Sequence, residues 1–401
     1  MSGYRDLLRT PGVARIIAAQ LTARVPSGML SLAFLIHIER IFDSYGAAGL
    51  VLAATSVGQA VAGPLTSRWM GRFGMRPVLI VTLIICAAGV FVIAFLLLPL
   101  WAYMLVGLIV GLATPPIQPA VRTIYPKMVS GRQLTPLFSL DASAQEIIWV
   151  TGPFITVVLA TQFSPVAALS VAGAFMVGGG IWFIASPEVG KVRIPPSRRK
   201  LGMVLKNRAV VLSTVGGFLL IGSAASIEVG VVAVFGEGGT EAGILFGLWA
   251  IASLVGGLSM GHLPIGPWAM ANRFAIVVVG MLLAPFALEF WWLALALIVA
   301  GIGIAPVLAV MFAIVSASVK FSETAEAYGW LGTGQLIGAA LGSAIAGFLI
   351  DGFGAIGGFW AAIAFAVIGM LVAILFRGWH PDLRGRDASP LPDTEPVETV
   401  S

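Results

Sequence analysis

The sequence predicts an all-α membrane protein of twelve transmembrane helices in two pseudo-symmetric six-helix bundles. Three observations carry that expectation. The 401 residues are 59% hydrophobic and 10% charged, with a mean hydropathy of +1.00, whereas soluble domains are nearer a quarter charged. The apolar residues fall into twelve runs of membrane-spanning length, and roughly 20 apolar residues cross the hydrocarbon as a helix. The second six runs also repeat features of the first six. Backbone facing lipid must satisfy itself, which selects helices over open strands, and the alternation of a membrane barrel is absent.

The runs cover about 14–37, 46–68, 77–98, 101–122, 137–161, 166–186, 209–234, 242–262, 271–290, 292–319, 328–350 and 357–377. Residues 1–13 are a short basic lead-in. The first run carries Gln20, Arg24 and Pro26, and the second is rich in Gly, Ala and Ser, which let helices approach closely in lipid. Ser67 to Pro77 interrupts the second and third runs with Arg68, Arg72, Gly74 and Arg76, charges that belong in water. The fourth run contains Pro115, Pro116 and Gln118. The fifth contains Asp141, Gln145, Glu146 and Trp149, then Gly152 and Pro153.

The longest polar interruption, 187–208, divides an N-terminal bundle (1–186) from a C-terminal one (209–377). The tail, 378–401, rich in Pro, Asp, Glu, Ser and Thr, is expected to be disordered. Ala48, Gly49 and Gly63 of the second run match Ala242, Gly243 and Gly257 of the eighth at an offset of 194. Gly111, Pro116, Gln145 and Gly152 match Gly301, Pro306, Gln335 and Gly342 at an offset of 190. Two parallel six-span repeats account for this.

The net charge of +5 is topological. With the N-terminus inside, all the Lys and Arg but Arg24 and Arg40 fall on the cytoplasmic side. That bias orients the chain in an inner (plasma) membrane with both termini cytoplasmic. Nucleic acid is not an expected partner. The lone Cys86 excludes a disulfide framework. No phosphate-binding loop, no metal-ligand cluster among His37, His262 and His380 and no nucleophile elbow is present. Neither an enzyme nor a cofactor or metal is expected.

Charge inside a span points to function. Arg24 and Glu146 reach similar depth and are expected to form an ion pair, either a static brace or a gate. Asp141, Gln145, Trp149 and Gly152 share one helical face, with Asp141 in an inner network with Arg72 or Arg122. Glu228 stands alone on the seventh span. Gln59, Gln118 and Gln335 are further candidates to bind a solute. Paired interruptions at Pro115-Pro116 and Pro306 point to a transport site, with Gly152-Pro153 a further expected helix break.

The stretch Arg72-Phe-Gly74-Met-Arg76-Pro77 resembles the loop between the second and third helices of major facilitator superfamily transporters, roughly Gly-x-x-x-Asp-Arg-x-Gly-Arg-Arg. Ser67, Gly71 and Met75 depart from it. Gly71 stands where the family has an Asp that latches the two halves, which implies a different latch here. Gly152-Pro153 resembles part of the drug/proton antiporter signature, with Ile148 and Gly107 as departures. Glu326-Ala-Tyr-Gly-Trp330 with Gly334, Gly338, Gly342 and Gly347 resembles the eleventh helix of such exporters. The resemblance implies alternating access about a site lined by spans one, four, seven and ten. The expected function is proton-coupled export of a small amphipathic organic molecule by a monomer in contact with lipid. Uptake by symport or uniport, and a non-transporting membrane sensor, are the alternatives.

Overall fold

The computed structural model describes residues 2–197, 199–236 and 240–393. Arg198 of the linker and residues 394–401 of the tail lie outside the described residues. A lead-in helix α1 (Ser2–Arg9) precedes α2 (Val13–Phe42), α3 (Tyr45–Phe73), α4 (Met75–Phe95), α5 (Leu100–Leu112), α6 (Ile117–Ile124), α7 (Gly131–Gln162) and α8 (Pro165–Ala185). After a short α9 (Pro187–Lys191), the second half comprises α10 (Arg208–Phe235), α11 (Thr240–Met260), α12 (Ala269–Leu283), α13 (Phe290–Ser318), α14 (Thr324–Phe353) and α15 (Ile356–Leu375). Twelve segments among the described residues are long and apolar enough to cross a membrane, with α5 and α6 forming one of them.

Local chemistry sets the starts. The Ser44 hydroxyl accepts from Ala47 N–H at 3.2 Å, Ser164 from Ala167 N–H at 3.0 Å and Asn207 from Ala209 N–H at 3.0 Å, each satisfying a first-turn donor. Gly74 alone separates α3 from α4. Its φ of +92° suits a residue without Cβ, so the basic stretch turns the chain in one residue.

The proline expectations split. Pro115 and Pro116 leave 114–116 non-helical between α5 and α6. Pro153 and Pro306, however, lie inside continuous α7 and α13, and Gly152 is helical too. One proline removes one ladder bond and kinks a helix. Two in succession remove adjacent bonds and also disfavour the helical region for the residues before them.

The internal repeat corresponds to close crossings. A Cβ on Gly152 of α7 would stand 2.6 Å from the Gly28 carbonyl carbon of α2, and one on Gly342 of α14 would stand 2.8 Å from that of Gly222 of α10. Likewise a Cβ on Gly111 of α5 would stand 2.9 Å from Gln59 N of α3, and one on Gly301 of α13 would stand 2.6 Å from Trp249 O of α11. Each half therefore packs its first helix on its fifth and its second on its fourth, through glycines that allow backbone contact.

The halves meet through α3 on α14, α7 on α11 and α13, and α6 on α14. These contacts gather toward one end of the bundle, the end that carries Arg68, Arg72, Arg76, Lys127 and the linker (the basic end). There a Cβ on Gly329 would stand 2.8 Å from the Gly63 carbonyl carbon. The Thr333 hydroxyl donates to Ala60 O at 2.8 Å, and Ser139 donates to Gly257 O. Phe138 lies edge-on to Phe312 with ring centroids 6.4 Å apart. Toward the far end, a Cβ on Gly49 of α3 or on Gly243 of α11 would meet nothing within 4 Å.

The tail differs from expectation over its described part. Leu383 N–H donates to Ile265 O at 2.9 Å. Leu391 N–H donates to Val319 O at 2.9 Å, and Phe321 N–H donates back to Leu391 O at 3.1 Å. Leu383 and Ala388 are buried. The polar composition suggested disorder, but those two apolar side chains and three backbone bonds seat residues 383–391 across the basic end.

Candidate functional site

The N-terminal half holds, toward the basic end, a polar cluster built from α2, α6 and α7. Asp141 is fully buried and Arg122 is 2% exposed. Arg122 Nε donates to Asp141 Oδ2 at 2.9 Å. Tyr125 Oη and Gln20 Nε2 both donate to Asp141 Oδ1 at 3.1 Å. Arg24 Nη1 donates to Gln20 Oε1 at 2.9 Å and stands 3.9 Å from Asp141 Oδ1, while its Nη2 donates to Gln145 Oε1 at 3.0 Å. Turned toward the guanidinium groups, the Gln118 amide oxygen accepts from Arg122 Nη2 at 2.7 Å and Arg24 Nη2 at 3.2 Å.

Helical spacing produces this convergence. Gln20 and Arg24 lie four apart on α2, and Asp141 and Gln145 four apart on α7, so each pair shares a face. The break at Pro115-Pro116 lets α6 restart with Gln118 and Arg122 on one face. One carboxylate thus serves two guanidiniums. That arrangement is tolerable in hydrocarbon only because nearly every lone pair and N–H has a partner.

The expected Arg24–Glu146 pair does not form, since Arg24 takes Asp141 and Gln145 instead. The reason is angular. Glu146 follows Gln145 by one residue, about 100° around the helix, and so leaves the face that points at α2. It turns toward the other half, beside Ser253 of α11 and within electrostatic reach of Glu228 on α10. Ser253 itself accepts from Ala305 N–H of α13 at 3.2 Å. Glu146 is half-buried and Glu228 exposed. Trp149 also departs from the buried strip and is 57% exposed.

Other expected residues scatter. Gln59 and Gln335 are half-buried on α3 and α14, with Gln335 lying against Gly217 of α10. The basic stretch divides its work. Arg76 donates to Ile184 O at 3.1 Å and Ser186 O at 3.3 Å, tying α4 to α8 within one half. Arg72 lies over the Phe73 ring at 5.3 Å, not in the network with Asp141. Arg68 crosses to the other half: its Nη1 donates to Glu326 Oε2 at 2.9 Å, and its Nη2 donates to Arg199 O in the linker. Glu326 Oε1 accepts from Gly202 N–H at 2.7 Å. An Arg–Glu pair joined to the linker thus bridges the halves where Gly71 offers no carboxylate.

Several participants escaped the sequence. Phe312 of α13 lies 3.4 Å from the Arg122 guanidinium, measured to the ring centroid, which couples the buried cluster to the opposite half by a cation–π contact. Nothing in its apolar run marks it. Tyr125 was legible in principle, three residues beyond Arg122. Arg273 resembles a loop-end charge in sequence, yet it is 6% exposed and donates to Pro306 O at 3.1 Å.

Comparison with known proteins agrees with this architecture. The family model described as Major Facilitator Superfamily matches residues 16–288 and 268–399. An uncharacterized MFS-type transporter, y4rN, of Sinorhizobium fredii is 25% identical over 305 residues, 71% of this chain and 73% of that protein. Among solved structures, the human organic anion transporter MFSD10 (TETRAN) superposes with a TM-score of 0.69 at 17% identity, covering 90% of this chain and 100% of that one. A bacterial homologue of the iron transporter ferroportin in an outward-facing state gives 0.71 at 13% identity, covering 91% and 99%. At these identities the solved structures speak to fold alone.

Proposed function

The chain belongs to the major facilitator superfamily, and on that premise we propose that it is a proton-coupled exporter of a small amphipathic organic molecule, working by alternating access. The observation that carries the reading is the pair Glu146 and Glu228. They belong to opposite halves, Glu146 halfway along α7 and Glu228 toward the far end of α10, within electrostatic reach of each other. A carboxylate has two charge states, so proton loading and solute binding can compete for one position. When the halves rock, each acid changes the side it faces.

The basic end is read as cytoplasmic from its Lys and Arg. The described conformation is then sealed toward the cytoplasm. In this reading Arg24, held by the network of Asp141, Arg122, Gln118 and Gln145, meets the solute from the N-terminal half, with Gln59 of α3 and Gln335 of α14 as further contacts. Few charges among many apolar side chains favour a solute with one polar group on an apolar body over a sugar or a phosphate. Direction, coupling ion and placement in the inner membrane, with both termini cytoplasmic and the protein acting as a monomer, belong to the same proposal.

The test is transport in everted membrane vesicles with an imposed proton gradient. Accumulation of an amphipathic dye that collapses with a protonophore, and is lost in Glu146→Gln or Glu228→Gln, supports the reading. Gradient-driven loss of dye from the same vesicles would indicate uptake, and no flux from folded protein would point to a sensor.

A further inference from the structure

The chain leaving α15 folds back on the start of α12 and borders an open hollow of about 720 Å³ at the basic end, walled by Trp268, Asn272, Arg377, His380 and Arg384. Its chemistry is one-sided. The first turn of α12 carries no acid and no side-chain cap, so the positive end of its dipole is not offset there, although Ala269 N–H is taken by Gly266 O at 2.9 Å. The Arg377 guanidinium is held over the Trp268 ring at 4.7 Å. Arg208 lies 5.7 Å from the ring centroid of Trp379. His380 is 5% exposed, and its Nε2 has no protein partner. Its Nδ1 is engaged by Pro381 O at 2.7 Å. Arg273 is close enough to act on His380 electrostatically. An acid nearby, Asp382, binds Arg384 through contacts of 2.6–3.1 Å.

The level of the hollow matters as much. It lies where α12 begins and α15 ends, among Trp268 and Trp379. Trp and Arg together mark the boundary between hydrocarbon and headgroups. None of its lining residues belongs to the polar cluster of α2, α6 and α7, and Glu146 and Glu228 are not among them.

We propose that this hollow binds a negatively charged phosphate group at the membrane surface, that of an anionic phospholipid headgroup. Arg377 and Arg384 supply bidentate donors matched to phosphate oxygens, and the α12 N-terminus adds the positive end of its helix dipole. Asp382 competes with the phosphate for Arg384 and thereby moderates affinity.

The experiment measures binding of phosphatidylglycerol, of phosphatidylcholine and of inorganic phosphate to the purified full chain in detergent, by native mass spectrometry. Wild type is expected to retain phosphatidylglycerol over phosphatidylcholine. The double variant Arg377→Gln/Arg384→Gln should weaken retention about tenfold, and Asp382→Asn should strengthen it. Both substitutions are at exposed positions, and melting curves confirm folding. Inorganic phosphate binding with the same dependence on Arg377 and Arg384, without lipid retention, would assign the site to a soluble phosphate. Retention of both probes by the double variant as in wild type, or no response to Asp382→Asn, overturns the proposal.

Discussion

Arg68 Nη1 and Glu326 Oε2 lie 2.9 Å apart, one on α3 and the other on α14, with Glu326 only 4% exposed. The pair sits one to two turns from the Gly63–Gly329 crossing and is the ionic part of the seal at the basic end. Removing Arg68 leaves a buried carboxylate with one remaining bond, to Gly202 N–H, a situation that costs about 3–5 kcal/mol in comparable buried pairs. Arg68→Ala is therefore expected to loosen the seal. A cysteine at Ala60, beside Thr333, should react with a membrane-impermeant maleimide at least tenfold faster from the basic side in that variant.

The glycine crossing provides an uncharged version of the same test. Gly329→Ala would put a methyl group against the Gly63 backbone between halves, and Gly152→Ala would do the same against Gly28 within one half. The first is expected to shift the conformational balance with little change in melting temperature. The second should lower the melting temperature, since overpacking costs about 1–3 kcal/mol. Melting curves beside the maleimide assay separate the two.

The buried cluster predicts a non-additive pair. Asp141→Asn removes the carboxylate that both Arg122 and Arg24 approach among the described residues and should destabilise by about 3–5 kcal/mol. Arg24→Gln removes the less buried guanidinium and should spare stability while abolishing transport. Combining them should recover part of the loss in melting temperature, because one uncompensated charge has been removed. Equal, additive losses would mean the two side chains act independently.

At the basic end, Glu188 predicts an acid limb. Burial pushes its carboxyl up, but the bound Arg15 guanidinium and nearby Lys191 outweigh this and hold it below the ordinary 4.5. A lowered folded value means stability that is present above pH 4.5 and lost as pH falls through the folded value. Arg15 is 47% exposed, so the contribution is under about 1 kcal/mol. Glu188→Gln should lower the melting temperature slightly at pH 7 and converge with wild type in acid.

The fold was legible because hydrocarbon imposes helix length and because the repeat falls on glycines that make the same crossings in each half. An inner network about Asp141 was legible from depth, but depth left Arg72 and Arg122 equally open as its partner. The partner of Arg24 was not legible, since depth does not report angle: Glu146 and Asp141 lie on different faces of α7, and only the packing of α2 selects between them. The role of Arg68 was hidden for another reason. Its carboxylate lies 258 residues away, and the linker that completes the contact has no sequence signature. The tail misled through composition, since Leu383 and Ala388 are isolated apolar residues in a polar stretch.

The most direct test is a pair of electron–electron distances in Cys86→Ser protein reconstituted in bilayers. One pair of spin labels replaces Arg132 and Arg208 at the basic end, and the other replaces Asp43 and Asp351 at the far end, each spanning the halves. Adding Glu326→Gln, which breaks the pair with Arg68, is expected to lengthen the basic-end distance and shorten the far-end one together. If both distances stay fixed, or both lengthen, the halves do not rock about the middle of the molecule and the alternating-access account is wrong.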